Sequence, residues 1–346
     1  MKTIGSYVAL MMLVLSFSHL QAKQKNVTPK APWCSLHLLN FDTDSSLLVL
    51  EKQLPELALK GVNVLILEVD YGFKFRSHPE LRGSDHPVTK KGAGRLVKAC
   101  RANHILLIPQ FQCFGHQSWA KTTYPLLTRY PELDITPGAF PQNEGIYCRE
   151  WDPMNPRVYD IVFKLIDEIM TAFDADFLHV GMDEVFLIGH ELSPSTKGLD
   201  PAPVFAQAVN DLYDHIVRKR GKQMLMWGDR LIDGRVYDYG EWEASMNGTA
   251  AAVDIIPKDI IICDWHYEVR ESYPSTEMFL QKGFRVLPAG WRNVEASRAF
   301  INYSLALGHS SMLGHLFTRW SSQREHLAEF PPLLENASLL KQNNYE

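Results

Sequence analysis

Apolar residues fall in two alternating rhythms along the chain. Short unbroken runs, bounded by glycine, proline or polar clusters, have the length of buried strands. Stretches with apolar residues at every third or fourth position carry the stripe of an amphipathic helix. Residues 33–40 predict a first strand and 44–60 a helix that Pro55 breaks or restarts. A second strand follows over 62–69, a helix over 89–104 and a third strand over 105–110. A long loop then runs to Pro156. The clearest helical stripe is Val158, Ile161, Val162, Leu165, Ile166, Ile169, Met170 and Phe173. Strand four covers 177–182, and a helix over 202–220 ends at Gly221. Further strands are predicted at 223–227, 259–263, 284–287 and 310–316, with a helix-rich tail over 322–341.

Strands buried on both faces and joined by helical or loop crossovers imply parallel pairing. Eight such strands close a barrel, and no glycine fingerprint follows the first one, as a dinucleotide fold would require. The predicted fold is α/β, a single (β/α)8 barrel over residues 33–346 with a C-terminal helical tail. A length of 346 residues accommodates such a barrel, which typically needs about 250. Lys2, the apolar residues 8–15 and Leu20-Gln21-Ala22 read as an export signal over 1–22, followed by a short lead over 23–32. The expected location is secreted or periplasmic, with no membrane association once the signal is removed.

A barrel of this kind carries its chemistry at the C-terminal ends of its strands. Strand four ends in the adjacent acids Asp183 and Glu184. Held close together, two carboxyls resist simultaneous ionisation, and one then stays protonated as a general acid. On the dipeptide alone, Asp-Glu as the first turn of a helix is the more frequent reading. The neighbouring strand ends change that balance. Asp70 follows strand two and His116 strand three; His179 lies in strand four; Trp227 and Asp229 end strand five. Trp265 and Tyr267 end strand six, Trp291 strand seven and Trp320 strand eight. Aromatic faces beside acids suit a sugar, whose C–H faces pack on rings while acids bind its hydroxyls. These residues are the expected substrate-binding set, with an oligosaccharide or glycoconjugate as partner.

Composition narrows the alternatives. A net charge of −5 with no basic cluster argues against nucleic acid. The five cysteines show no Cys-x-x-Cys spacing, which excludes a zinc cluster of that type; Cys113 and Cys148 are the candidate disulfide. Histidines 116, 179, 266 and 315 near strand ends leave a metal-dependent hydrolase as one competing class. No His-x-His or His-Glu-x-x-His pairing supports it, and neither cofactor nor metal is expected. A non-catalytic glycan-binding barrel is the other competitor.

The chain resembles glycoside hydrolase family 20, the β-N-acetylhexosaminidases. The resemblance rests on His179-Val180-Gly181-Met182-Asp183-Glu184, on Asp152-Pro153-Met154-Asn155-Pro156 before a long helix, and on residues 109–116, which end in Gly115-His116. It implies a retaining hydrolase of β-linked 2-acetamido sugars, in which the substrate's acetamido oxygen attacks C1 to give an oxazolinium intermediate. By that resemblance Glu184 is the acid and base, and Asp183 holds the acetamido N–H. Four departures are visible. Met182 stands where Gly or Ala is usual and adds bulk beside the pair. Gln110 replaces a glutamate, strand one has no sugar-gripping arginine, and Trp320-Ser321-Ser322 lacks a terminal acid.

Overall fold

The computed structural model describes residues 28–30 and 32–341. The predicted export signal over 1–22 and part of the lead lie outside them. Eight parallel strands close a barrel: β1 (Trp33–Leu38), β2 (Val64–Glu68), β3 (Leu106–Cys113), β4 (Phe177–Gly181), β5 (Gln223–Trp227), β6 (Ile261–Trp265), β7 (Arg285–Gly290) and β8 (Gly314–Arg319). Each pairs with its sequence neighbours, and β1 closes on β8 with Trp33 opposite Gly314 and Leu38 opposite Arg319. Outside lie α1 (Asp44–Lys60), α2 (Lys90–Ala102), α3 (Pro156–Ala172), α4 (Pro201–Tyr213), α5 (Pro274–Gln281) and α6 (Val294–Ala306).

Strand alternation divides the core in two. Inward residues such as Val64, Ile66, Leu106, Ile108, Phe177, Leu225, Ile261 and Leu287 fill the barrel. Their sequence neighbours, among them Leu65, Leu107, Leu178, Met224 and Ile262, pack against the helices. Burial on both faces explains why the strands read as unbroken apolar runs. Truncating one of these leucines to alanine would cost roughly 2–5 kcal/mol.

Caps set the helix boundaries. Thr43 accepts from the Ser46 N–H while Ser46 answers to the Thr43 N–H, and Gly61 closes α1 in the left-handed conformation at φ +104°. Pro55 neither breaks nor restarts α1, which runs through it. Asn155 caps α3 with Pro156 in its first turn, so the Asn-Pro pair is a helix start. Three strands lie one to four residues downstream of their predicted windows. The sequence 310–313 is a lead into β8, and 264–265 and 288–290 extend β6 and β7. The helix predicted over 202–220 is α-helical only to Tyr213 and continues as a π-helix over Asp214–Lys219. The tail consists of short turns of helix rather than one long element.

All five cysteines are buried and free, so Cys113 and Cys148 do not pair. No helix among the described residues is long and apolar enough to cross a membrane.

Candidate active site

The end of β4 is backbone-strained. Gly181, Met182 and Glu184 have φ of +68°, +74° and +51°, a conformation that costs non-glycine residues energy and concentrates at functional sites. The turn brings Asp183 inward and sends Met182, fully buried, into the layer between strand and helices. Met182 therefore adds no bulk beside the acids; its neighbours are core residues. Glycine is required at 181, where a Cβ would stand 2.1 Å from Gln112 Oε1. At 115 it would stand 2.5 Å from the Asp183 carbonyl oxygen. His179 steadies the turn from below. Its Nδ1 accepts the Gly181 N–H at 3.1 Å, which demands a neutral ring, and burial lowers its pKa to about 3.

The two acids do not simply repel each other. His116 Nε2 lies 2.8 Å from Glu184 Oε2 and 3.3 Å from Asp183 Oδ2. Burial opposes charge on His116, but Asp183 and the hydrogen bonds to both acids override it and raise its pKa well above 6.5. Asp183 responds in kind. Desolvation works against its anion, yet His116 and a 2.6 Å hydrogen bond from Gln112 Nε2 hold its pKa below 3.8. His116, in contact with both acids, offsets the repulsion expected between them.

Acidic neighbours carry the burden of burial. Asp70 accepts the Gln112 N–H at 2.6 Å, but desolvation still pushes it up to about 7. Glu68, deeper in the mouth, is raised well above its ordinary value by burial and then by Asp70 and Asp183. Gln110, where the family resemblance leads to a glutamate, bridges His37 at 3.1 Å and Glu68 at 3.2 Å. His37 is the inward residue of β1 nearest the mouth, packed 4.6 Å from Trp320.

Every aromatic residue predicted for the pocket lies in one connected group. Trp265 is 4.9 Å from Tyr267, and Tyr267 is 5.5 Å from Trp291. Trp320 Nε1 donates to the Tyr267 hydroxyl at 2.8 Å, and its ring packs 5.8 Å from Trp227 at a tilt of 52°. Trp227 is 1% exposed, so it forms the floor and not a wall. Asp229, predicted to touch substrate, is engaged elsewhere and 1% exposed. It accepts from the Glu184 N–H at 2.9 Å, Arg230 Nε at 2.6 Å and Trp265 Nε1 at 3.3 Å. It holds the acid in place from behind. His179 likewise lies beneath the site, fully buried.

Two of the four strand-end histidines are outside the barrel mouth. His266 faces outward, paired with Glu243 at 2.6 Å and Asp264 at 3.1 Å, and His315 packs against Phe300 and Phe317. A metal centre built from the four is therefore excluded by direction. Among the described residues, only His116, Asp183 and Glu184 offer one ligand atom each within 4.8 Å of one another. Two surface hollows of about 740 and 580 Å³ are lined by other residues. Sequence reasoning missed Tyr147, whose ring stands 5.7 Å from that of His116. It also missed Glu150, which accepts the Phe186 and Leu187 N–H groups just after the acids. Both lie in the long loop after β3, which has no periodicity to mark them.

Comparison with known proteins agrees with the geometry. Residues 35–291 match the family described as glycosyl hydrolase family 20, catalytic domain. Among curated proteins, a lacto-N-biosidase of Bifidobacterium bifidum is 24% identical over 58% of this chain and 16% of its own length. The β-hexosaminidase subunit beta of Felis catus is 29% identical over 42% of this chain and 28% of its own. The chain therefore spans well under half the length of these relatives. Among solved structures, a chitobiase of Flavobacterium johnsoniae superposes with a TM-score of 0.61 at 19% identity, over 84% of this chain and 44% of that one. A β-N-acetylhexosaminidase crystal structure gives a TM-score of 0.64 at 16% identity, over 90% and 72%. The barrel, the acid pair closing its fourth strand and the match across most of its length lead to one conclusion: this chain belongs to glycoside hydrolase family 20.

Proposed function

We propose that the protein is a retaining glycoside hydrolase that cleaves β-linked 2-acetamido sugars with the help of the substrate's own acetamido group. The observation that carries this reading is the Asp183–Glu184 pair at the mouth, with His116 Nε2 at 3.3 Å from Asp183 and 2.8 Å from Glu184. In the first step the acetamido oxygen attacks C1 while Glu184 protonates the leaving oxygen. Asp183 accepts the acetamido N–H, orienting the internal nucleophile and balancing the positive charge that develops on it. In the second step Glu184 deprotonates the water that opens the oxazolinium ring. The connected rings of Trp265, Tyr267, Trp291 and Trp320 enclose the sugar and its N-acetyl group. An exported enzyme suits the basic and then apolar start of the chain, at Lys2 and residues 8–15, and a net charge of −5 disfavours a nucleic-acid partner.

The test is hydrolysis of aryl β-N-acetylglucosaminides and galactosaminides. Turnover by the wild type that is abolished in Glu184→Gln supports the proposal. Equal inertness of both proteins on these and on a broad glycan panel overturns it. One observation favours a second reading: the His116–Asp183–Glu184 cluster has the spacing of a cation site. Stoichiometric zinc or iron in purified protein, with activity lost on chelation, would establish that reading instead.

A further inference from the structure

Two of the departures from family 20, a first strand without arginine and Gln110 in place of a glutamate, meet beneath the acid pair. His37 on β1 and Gln110 on β3 are both fully buried, so neither touches a sugar. They are tied across the barrel interior, His37 Nε2 lying 3.1 Å from Gln110 Oε1. The Gln110 amide nitrogen has two hydrogens and two acceptors. Glu68 Oε2, from the residue opposite on β2, stands at 3.2 Å and Gln112 Oε1 at 3.3 Å. Gln112 in turn donates from Nε2 to Asp183 Oδ1 at 2.6 Å.

The direction of every bond in this series follows from its last member. Desolvation opposes the Asp183 anion, but His116 and Gln112 keep its pKa below 3.8, so it offers Gln112 only acceptor oxygens. A Gln112 amide turned round would set its carbonyl oxygen against that carboxylate with no proton between them. Nε2 of Gln112 therefore faces Asp183, and its Oε1 needs the donor that Gln110 supplies. Gln110 then presents its own oxygen to His37, which must carry its proton on Nε2. Burial suits His37 to this task by lowering its pKa to about 4, which leaves a neutral ring with one proton. Nδ1 has no partner among the described residues that would draw that proton to the other side. A glutamate at 110, when ionised, would have no hydrogen to give Gln112.

We infer that His37 and Gln110 are positioning residues that act through Gln112 to orient Asp183 toward the acetamido group. This rests on the hydrolase reading, which gives Asp183 that task. A glutamine side chain left to itself has two amide orientations, and only one of them donates to Asp183. The bond from Gln110 removes the other, and the bond from His37 does the same for Gln110. An aspartate without this hold leaves the internal nucleophile out of line with C1.

The test uses Gln110→Met, His37→Phe and Gln112→Met, singly and with each of the first two combined with the third. Rates are measured on the dinitrophenyl N-acetylglucosaminide, whose leaving group needs no proton, and on the methoxyphenyl one, whose leaving group does. Gln110→Met and His37→Phe each lower kcat/KM on the order of tenfold, the scale of one buried hydrogen bond. The loss is equal for the two glycosides, because Asp183 and not the proton donor Glu184 is disturbed. Added to Gln112→Met, neither substitution lowers the rate further, since the connection to Asp183 is already cut. Losses that multiply in the double variants, losses confined to the methoxyphenyl glycoside, or full activity in Gln110→Met overturn the inference. Should the wild type be inert on both glycosides, the hydrolase reading fails on its own account, and amide exchange, which needs no turnover, decides. The Gln112 Nε2 hydrogens, identified in NMR spectra by their absence from Gln112→Met, exchange on the order of tenfold faster in Gln110→Met than in the wild type. Equal exchange in the two proteins overturns the inference.

Discussion

Asp229→Ala separates the two effects of the pair behind the acid, on stability and on turnover. Asp229 and Arg230 lie 2.6 Å apart with both side chains fully out of solvent. Removing the carboxylate leaves the guanidinium with three carbonyl partners and an Nη1 that has none among the described residues. An orphaned buried charge of this kind costs about 3–5 kcal/mol. At roughly 1.5 °C per kcal/mol for a domain of about 310 residues, Tm falls by about 4–8 °C. Turnover falls as well, because the Glu184 N–H loses its acceptor; a misplacement of about 1 Å is worth on the order of 100-fold in rate. Adding Arg230→Met removes the stranded charge and keeps an apolar contact with Phe186, so most of the stability returns. The activity does not, since nothing replaces the acceptor for Glu184. Thermal unfolding and aryl N-acetylglucosaminide hydrolysis, measured side by side on the single and double variants, read the two effects. A Tm change under about 2 °C for Asp229→Ala, or full recovery of turnover in the double variant, would refute the reasoning.

Three further outcomes are expected. Gly181→Ala places a Cβ at φ +68° and 2.1 Å from Gln112 Oε1, so Gln112 leaves Asp183; activity drops about tenfold or more and stability by at least about 1 kcal/mol, readable by assay and melting curve. The His116–Asp183 pair sets a pH window: Asp183, lowered from 3.8, stabilises the fold above that value and ceases to as pH falls through its folded pKa. His116, raised from 6.5, contributes in full below that value and is lost as pH rises through its folded pKa, so the pair's contribution is largest between about 4 and 6.5 and the Tm difference between wild type and His116→Phe is greatest in that window. Because all five cysteines are free, dithiothreitol leaves the melting temperature unchanged and a thiol reagent titrates five groups after unfolding.

The barrel was legible because parallel strands buried on both faces leave continuous apolar runs, and α3 because its single stripe runs unbroken from Val158 to Phe173. Boundaries were less so. β6 and β7 continue through Asp264-Trp265 and Pro288-Gly290, where an outward polar residue or a proline looks like a strand end. The ring and acid residues that the structure brings together were singled out by their position at strand ends. Their orientation was not, since one residue of register decides whether His266 joins the mouth or the shell. Asp229 reads as a sugar ligand until its partners are known. Tyr147 was out of reach, because a loop brings it against His116 and no periodicity records where a loop folds back.

Residue 182 bears on how distant relatives are recognised. Its side chain turns away from the acids into the packing between strand and helices. A small residue there answers to how closely the shell packs, not to what the pocket must admit. A search pattern that insists on Gly or Ala before Asp-Glu would discard chains whose chemistry is untouched, and one that scores the acids with the glycine two places upstream would retain them.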